Sequence, residues 1–208
     1  MDFPEQKPGM DIGGNKLEKL EILQEDGAKT GVVMERYEAH MAGALHGVIR
    51  VYVTRIREGH LEFLIQKRSR SKASYPGYYD TACAGHIDAG DCAVQTAVRE
   101  MKEELGILAQ PGDLTYLFCQ SNDWLETSGE KAFTDYERDT IFWYQKPVIT
   151  EKLVLQKEEV ESVAWYDAGE LEIWAKRKDS HISFTSREFA RVLSKINNLL
   201  RQAEKKES

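Results

Sequence analysis

Between Cys92 and Ile107 the chain reads "CAVQTAVREMKEELGI", and its second half concentrates acid: Glu100, Glu103 and Glu104 follow directly behind Arg99. On a helix, positions i, i+3 and i+4 share a face, so these three carboxylates converge. Like charges at that spacing repel by about 0.2–0.5 kcal/mol per exposed pair. A run of this kind is usually a solvated helix face, and Lys102 is interleaved on the other side. Converging carboxylates become favourable when a hard divalent cation sits among them. Mg2+ takes oxygen ligands, keeps several waters and bridges carboxylates to phosphates. The chemistry open to such a group is metal-assisted attack of water on phosphorus.

The helix that must carry these acids is legible. Ala93, Ala97, Met101 and Leu105 recur at four-residue spacing beside Val94 and Val98, and Gly106 supplies the stop. Ahead of it, residues 1–18 read as a flexible leader broken by Pro4, Pro8, Gly13 and Gly14. Residues 19–35 read as a hairpin turning at Asp26-Gly27. "LHGVIRVYVTR" and "LEFLIQKRS" predict an antiparallel pair of strands, and "SKASYPGYYDTACAGH" a turn running into a short strand that ends near Ala84. "LTYLFCQ" and "TIFWYQ" predict two more strands separated by a polar, mobile "SNDWLETSGEK", and "VESVAWYD" a further one. Asp167 and Glu170, then Thr185 and Glu188, stand at capping-box spacing before two C-terminal helices. The second helix carries an apolar stripe of Phe189, Val192, Leu193, Ile196, Leu199 and Leu200, read either as core or as a homodimer interface. The expectation is one α+β domain over 19–204, a mixed sheet covered by helices.

Composition narrows the function. The 208 residues are 41% hydrophobic and 30% charged, ordinary for a globular chain able to bury a core. A net charge of −7 argues against nucleic acid as a partner, because a phosphate backbone needs a basic face. A small phosphorylated molecule remains open, since bound cations can supply the positive charge. No apolar run approaches the ~20 residues of a membrane span, and the N-terminus lacks the apolar segment of a signal peptide. Cys83, Cys92 and Cys119 form no CxxC pair and are odd in number, which fits reduced thiols and a cytoplasmic location.

From Gly85 to Ile107 the chain resembles the Nudix box, GX5EX7REUXEEXGU with U a bulky aliphatic residue. Gly85, Arg99, Glu100, Met101, Glu103, Glu104, Gly106 and Ile107 fall in register, and the departure is Asp91, where the family usually has Glu. Six invariant positions match by chance on the order of once in 10⁷ windows. The resemblance implies a Nudix-like fold from about residue 45 to 200: a mixed sheet sandwiched by helices, with a catalytic loop–helix–loop. It implies Mg2+ or Mn2+ held by Glu100, Glu103 and Glu104 with the Gly85 carbonyl, and Arg99 paired with Asp91 at the helix start. The implied activity is hydrolysis of a diphosphate bond in a nucleoside diphosphate linked to another group. Glu103, Glu104, Glu137, Glu126, Glu130 and Glu159 all stay open as the base that takes a proton from water.

Within that family the chain is similar to the branch containing isopentenyl-diphosphate isomerase. His40 and His46 precede a strand, His86 follows Gly85, and Glu137 and Asp139 stand two apart on a later strand. In the isomerases similar groups ligate a metal, and a cysteine directly before Gly-His does proton chemistry. Here that position is Ala84, and Cys83 is one residue early, which turns its side chain to the other face of a strand. The complete REUXEE set and the missing thiol favour hydrolysis over isomerisation. A non-catalytic nucleotide sensor is the third reading, and an accessory metal site at His40, His46 and His86 depends on those side chains converging. Lys67, Arg68 and Lys72 read either as phosphate contacts or as a solvated loop. Trp124, Tyr136, Trp143 and Tyr144 read either as stacking platforms or as core, and Trp165 and Trp174 as packing.

Overall fold

The computed structural model describes residues 18–72, 74–128, 131–177 and 181–207, the side chains of 123–128, 131–135 and 207 excepted. In chain order the elements are β1 (Lys19–Leu23), β2 (Lys29–Glu35), α1 (Arg36–Ala42), β3 (His46–Arg57), β4 (His60–Arg68), β5 (Tyr79–Asp80) and β6 (Cys83–His86). They continue as α2 (Ala93–Leu105), β7 (Leu114–Ser128), β8 (Lys131–Tyr144), β9 (Val160–Asp167), α3 (Ala168–Ala175) and α4 (Ser186–Glu207). Apart from Glu18, the expected leader lies outside the described residues.

β3 is the axis of the sheet. Its β-branched and aromatic run is buried on both faces from His46 to Thr54. Along one edge it pairs in parallel with β8, His46 opposite Glu137 and Val53 opposite Tyr144. Along the other edge it meets three antiparallel partners in turn: β1 at Ile22↔His46, β6 over Val48↔His86 to Val51↔Cys83, and β4 over Val53↔Leu64 to Arg57↔His60. β9 continues the sheet beyond β4, and the hairpin partner β7 lies beyond β8.

Alternation along these strands builds two cores. Ile49, Val51 and Val53 point to one face and pack with Leu64, Cys83 and the α2 residues Ala97, Met101 and Leu105. Tyr52 points to the other and packs with Phe63, Ile65, Ile141, Trp143, Leu171 of α3 and Phe189, Val192 and Ile196 of α4. Each large apolar side chain so buried contributes about 1.5–3 kcal/mol. The result is a mixed sheet between helices, as expected.

Three local expectations change. Arg36–Ala42 is helical and ends at Gly43 in the left-handed region (φ 58). These seven residues, about two turns, are too few to carry a recognisable period. The segment read as a mobile separator is instead the far end of the β7–β8 hairpin, whose ladder runs without a break from Phe118↔Ile141 to Ser128↔Lys131. Thr185 does cap α4, its Oγ1 accepting from the Glu188 N–H at 3.0 Å. Glu188 does not return the favour: its carboxylate turns inward to accept from Tyr52 and Gln120.

Candidate active site

The acidic helix lies against the strand that begins the box. Gly85 is where they touch: a Cβ built there would stand 2.6 Å from Cδ of Glu100. Only glycine lets the Glu100 carboxylate reach the β6 backbone. Glu104, one turn on, is 5% exposed. Its Oε2 accepts from Gln66 Nε2 at 3.4 Å. Burial pushes the Glu100 carboxyl up to about 7 in spite of the neighbouring Arg99. Burial and then repulsion from Glu100 push Glu104 up to about 8. Glu103 points outward, its side chain 52% exposed. Thus two of the three expected carboxylates, the half-buried Glu100 and the buried Glu104, lie on one face, and the third stands at its rim.

Arg99 holds that rim together. It pairs with Glu100 at 2.7 Å, donates to Glu103 at 3.3 Å and lies 4.0 Å from Asp88. The pairing with Asp91 expected from the family pattern is not made among the described residues. The guanidinium faces the carboxylates of its own helix and the nearer Asp88, which the shorter acid at 91 does not displace.

Two loops close over these carboxylates. The segment before β9 is stitched to the end of α2 by Val154 N–H to the Leu105 carbonyl (3.1 Å) and Gln156 N–H to the Glu104 carbonyl (3.0 Å). It is stitched to the loop after β4 by Ser69 N–H to the Glu159 carbonyl at 2.8 Å. There Lys72 forms an ion pair with Glu159. Both side chains act electrostatically on Glu104, Lys72 lowering its pKa and Glu159 raising it. Lys67 is paired with Glu161 at 2.7 Å. Arg68 is tied to Asp80 at 3.0 Å and to the Ser74 carbonyl at 2.9 Å. Cys83 faces this side of the sheet too, and burial plus the Glu104 and Glu100 charges push its thiol up.

The histidines gather on the opposite face. His46 begins β3, His86 ends β6 across from Val48, and His40 reaches them from α1. One nitrogen of each lies within 4.8 Å of the others, and the ring centroids are 4.9–5.3 Å apart. Glu137, beside His46 in register, brings Oε1 to 3.9 Å from His86 Nε2. His46 Nδ1 lies 2.8 Å from the Ala44 carbonyl, which can only accept, so Nδ1 carries the proton and Nε2 the lone pair. Burial, then His46 and Arg36, lowers His40 to about 3, and burial holds His46 and His86 below the usual range. Three neutral imidazoles and a carboxylate are a donor set suited to a divalent transition metal.

Beneath the histidines lies a group the sequence reading passed over. Arg50, 7% exposed, turns each of its nitrogens to a different carboxylate. Nη1 is 3.3 Å from Asp80, Nε 3.4 Å from Asp139 and Nη2 3.8 Å from Glu137. The available signal was an arginine interrupting the apolar run "GVIRVYV". Among the aromatics, Trp143 is core, its Nε1–H donating to Thr54 at 2.7 Å, and Tyr144 is buried on the α2 side. Tyr136 is half-buried on β8, next to Glu137. The side chains of Trp124 and Glu126, and Glu130 altogether, lie outside the described residues.

A mixed sheet between helices, with a glycine-anchored loop–helix–loop holding buried carboxylates, is the frame of a Nudix domain. The chain belongs to the Nudix family: the NUDIX domain model matches residues 46–186. It is 34% identical over 162 residues to Nudix hydrolase 3 of Arabidopsis thaliana, a match covering 78% of this chain and 21% of that protein. It is 27% identical over 187 residues to isopentenyl-diphosphate Delta-isomerase of Aliivibrio fischeri, covering 89% and 98% of the two chains. The NUDIX domain of Shewanella oneidensis NrtR, crystallised with ADP ribose, superposes with a TM-score of 0.52 at 13% identity over 74% of this chain and 87% of that one.

Proposed function

We propose that this chain is a divalent-metal-dependent hydrolase of the phosphoanhydride bond in a nucleoside diphosphate joined to another group. The observation that carries the reading is the half-buried Glu100 seated against Gly85 with the buried Glu104 one helical turn on. Burying like charges is costly unless a cation compensates them, and their raised pKa values express that cost. Glu100, Glu103 and Glu104, with the Gly85 carbonyl, form an oxygen donor set suited to Mg2+ or Mn2+. When bound, the metal neutralises the diphosphate and favours attack at phosphorus. Arg99 pairs with Glu100 and Glu103 and aims their carboxylates. Glu159 is our candidate to take the proton from the attacking water, since it acts electrostatically on both Glu100 and Glu104 from a loop bonded to the α2 terminus. Lys72, its partner, is placed to exchange Glu159 for a substrate phosphate. That a structural relative of this fold binds ADP ribose supports a substrate of the same kind.

A second reading rests on the other face, where His40, His46 and His86 converge as an accessory site for a divalent transition metal, with Glu137 beside His86. This arrangement is similar to that of the isomerases, but Ala84 stands where their thiol does, and Cys83 packs among the α2 core residues. No helix among the described residues is long and apolar enough to cross a membrane.

Phosphorus NMR with Mg2+, nucleoside diphosphate derivatives and isopentenyl diphosphate in ¹⁸O-labelled water separates these readings. Label entering one phosphate product, absent with Glu104→Gln, is expected. A migrated double bond in the isopentenyl sample, with every diphosphate intact, overturns hydrolysis.

A further inference from the structure

Arg50 is the one Lys, Arg, Asp or Glu on β3 between His46 and Thr54, and it is spent on no external contact. Its direct cross-strand partner is Ala84, whose methyl leaves the guanidinium room on the histidine face. What Arg50 does to its acids is specific. It faces one oxygen of Glu137 and one of Asp139. Glu137 offers Oε2 to Arg50 while Oε1 faces His86. Asp139, 0% exposed, accepts from Asn122 at Oδ2, which Arg50 Nε faces in an ion pair at 3.4 Å, and Oδ1 has no hydrogen-bond partner among the described residues. Asp80 is shared between Arg50 and Arg68, which keeps the guanidinium itself from swinging.

We propose that Arg50 is a positioning residue for the metal site at His40, His46 and His86. It fixes the rotamers of Glu137 and Asp139 so that one oxygen of each is presented to a cation, and it balances the remaining charge. The inference rests on the reading that those histidines hold a divalent metal. A carboxylate ligand is only as well aimed as the group holding its second oxygen, and losing such a partner typically costs about 10–100-fold in metal affinity. Arginine suits the task because its planar fork addresses three acceptors at fixed angles, which an ammonium does not.

The test is Co2+ titration in a Glu104→Gln background, which weakens the box site, followed by visible absorption and by the hyperfine-shifted imidazole N–H signals in proton NMR. The background protein is expected to show imidazole-bound Co2+ that His40→Ala abolishes. Arg50→Met is expected to weaken Co2+ binding at least tenfold and to alter the absorption bands. Arg50→Lys keeps the buried charge, and with it the fold, and is expected to fall between them. Affinity and spectrum unchanged in both Arg50 variants overturn the role of Arg50 while leaving the histidine site standing. Co2+ binding indifferent to His40→Ala overturns the histidine site, and the proposal with it.

Discussion

Gly85 and Glu100 share a space that admits no other side chain, since a methyl on Gly85 would lie 2.6 Å from Cδ of Glu100 and 2.8 Å from its Oε1. Gly85→Ala should therefore push the carboxylate out of the site. We expect kcat/KM to fall by 10²-fold or more, roughly the cost of misplacing a reacting group by an ångström. Thermal unfolding should show about 1–3 kcal/mol of destabilisation from overpacking. Wild-type activity in the alanine variant would break the link between this contact and catalysis.

Glu104→Gln should stabilise the metal-free protein at alkaline pH. The folded carboxyl titrates at about 8 against a reference of 4.5. Between those values the folded state holds a proton that the unfolded chain has lost, so stability falls as pH rises through this window. Glutamine removes that loss, and a gain of about 2 kcal/mol at pH 8 is expected. Melting curves of both proteins in EDTA from pH 5 to 9 check it, and saturating Mg2+ should reverse the order.

The histidine cluster pulls the other way. His40 titrates at about 3 when folded against a reference of 6.5, so the unfolded chain takes up protons that the folded one refuses. Stability should be lost as pH falls below that reference. His40→Gln should flatten this acid limb by about 1 kcal/mol or more at pH 5. An unchanged acid limb in chemical denaturation would place the acid sensitivity elsewhere.

Glu159→Gln should lower kcat by about 10²–10⁴-fold with little change in KM, as expected for loss of a general base. Lys72→Met should chiefly raise KM, since it removes a phosphate contact rather than a proton acceptor. Steady-state kinetics with one nucleotide substrate distinguishes these patterns, and equal small effects on both constants would assign the pair to loop structure alone.

Met101→Ala should cost about 2–5 kcal/mol through the cavity it leaves beneath β3, because Met101 is 0% exposed among Ile49, Val51 and Leu105. Residual activity of the folded fraction should be near normal, as Met101 holds the helix and touches no reacting group.

The register of the box, the helix that bears it, the β-branched core strands and the cap at Thr185 were all legible in the chain. Each depends on local periods of two or 3.6 residues and on short-range backbone geometry. The face argument for Cys83 was legible for the same reason, because parity along a strand needs no knowledge of the partner strand. What tertiary structure alone decided was company. Glu103 reads identically to Glu104 in a helical pattern, yet one is exposed and the other buried, because the helix packs with a particular rotation on β6. Arg99 has Asp91 available in the motif but is delivered to Asp88 instead. Arg50 meets Asp80, Glu137 and Asp139 only because β3 lies beside β4, which carries β5, on one edge and in parallel with β8 on the other. Burying an arginine among three acids is tolerable only when they lie close enough to compensate one another. That condition is set by strand order and register, and no single segment of the sequence carries it.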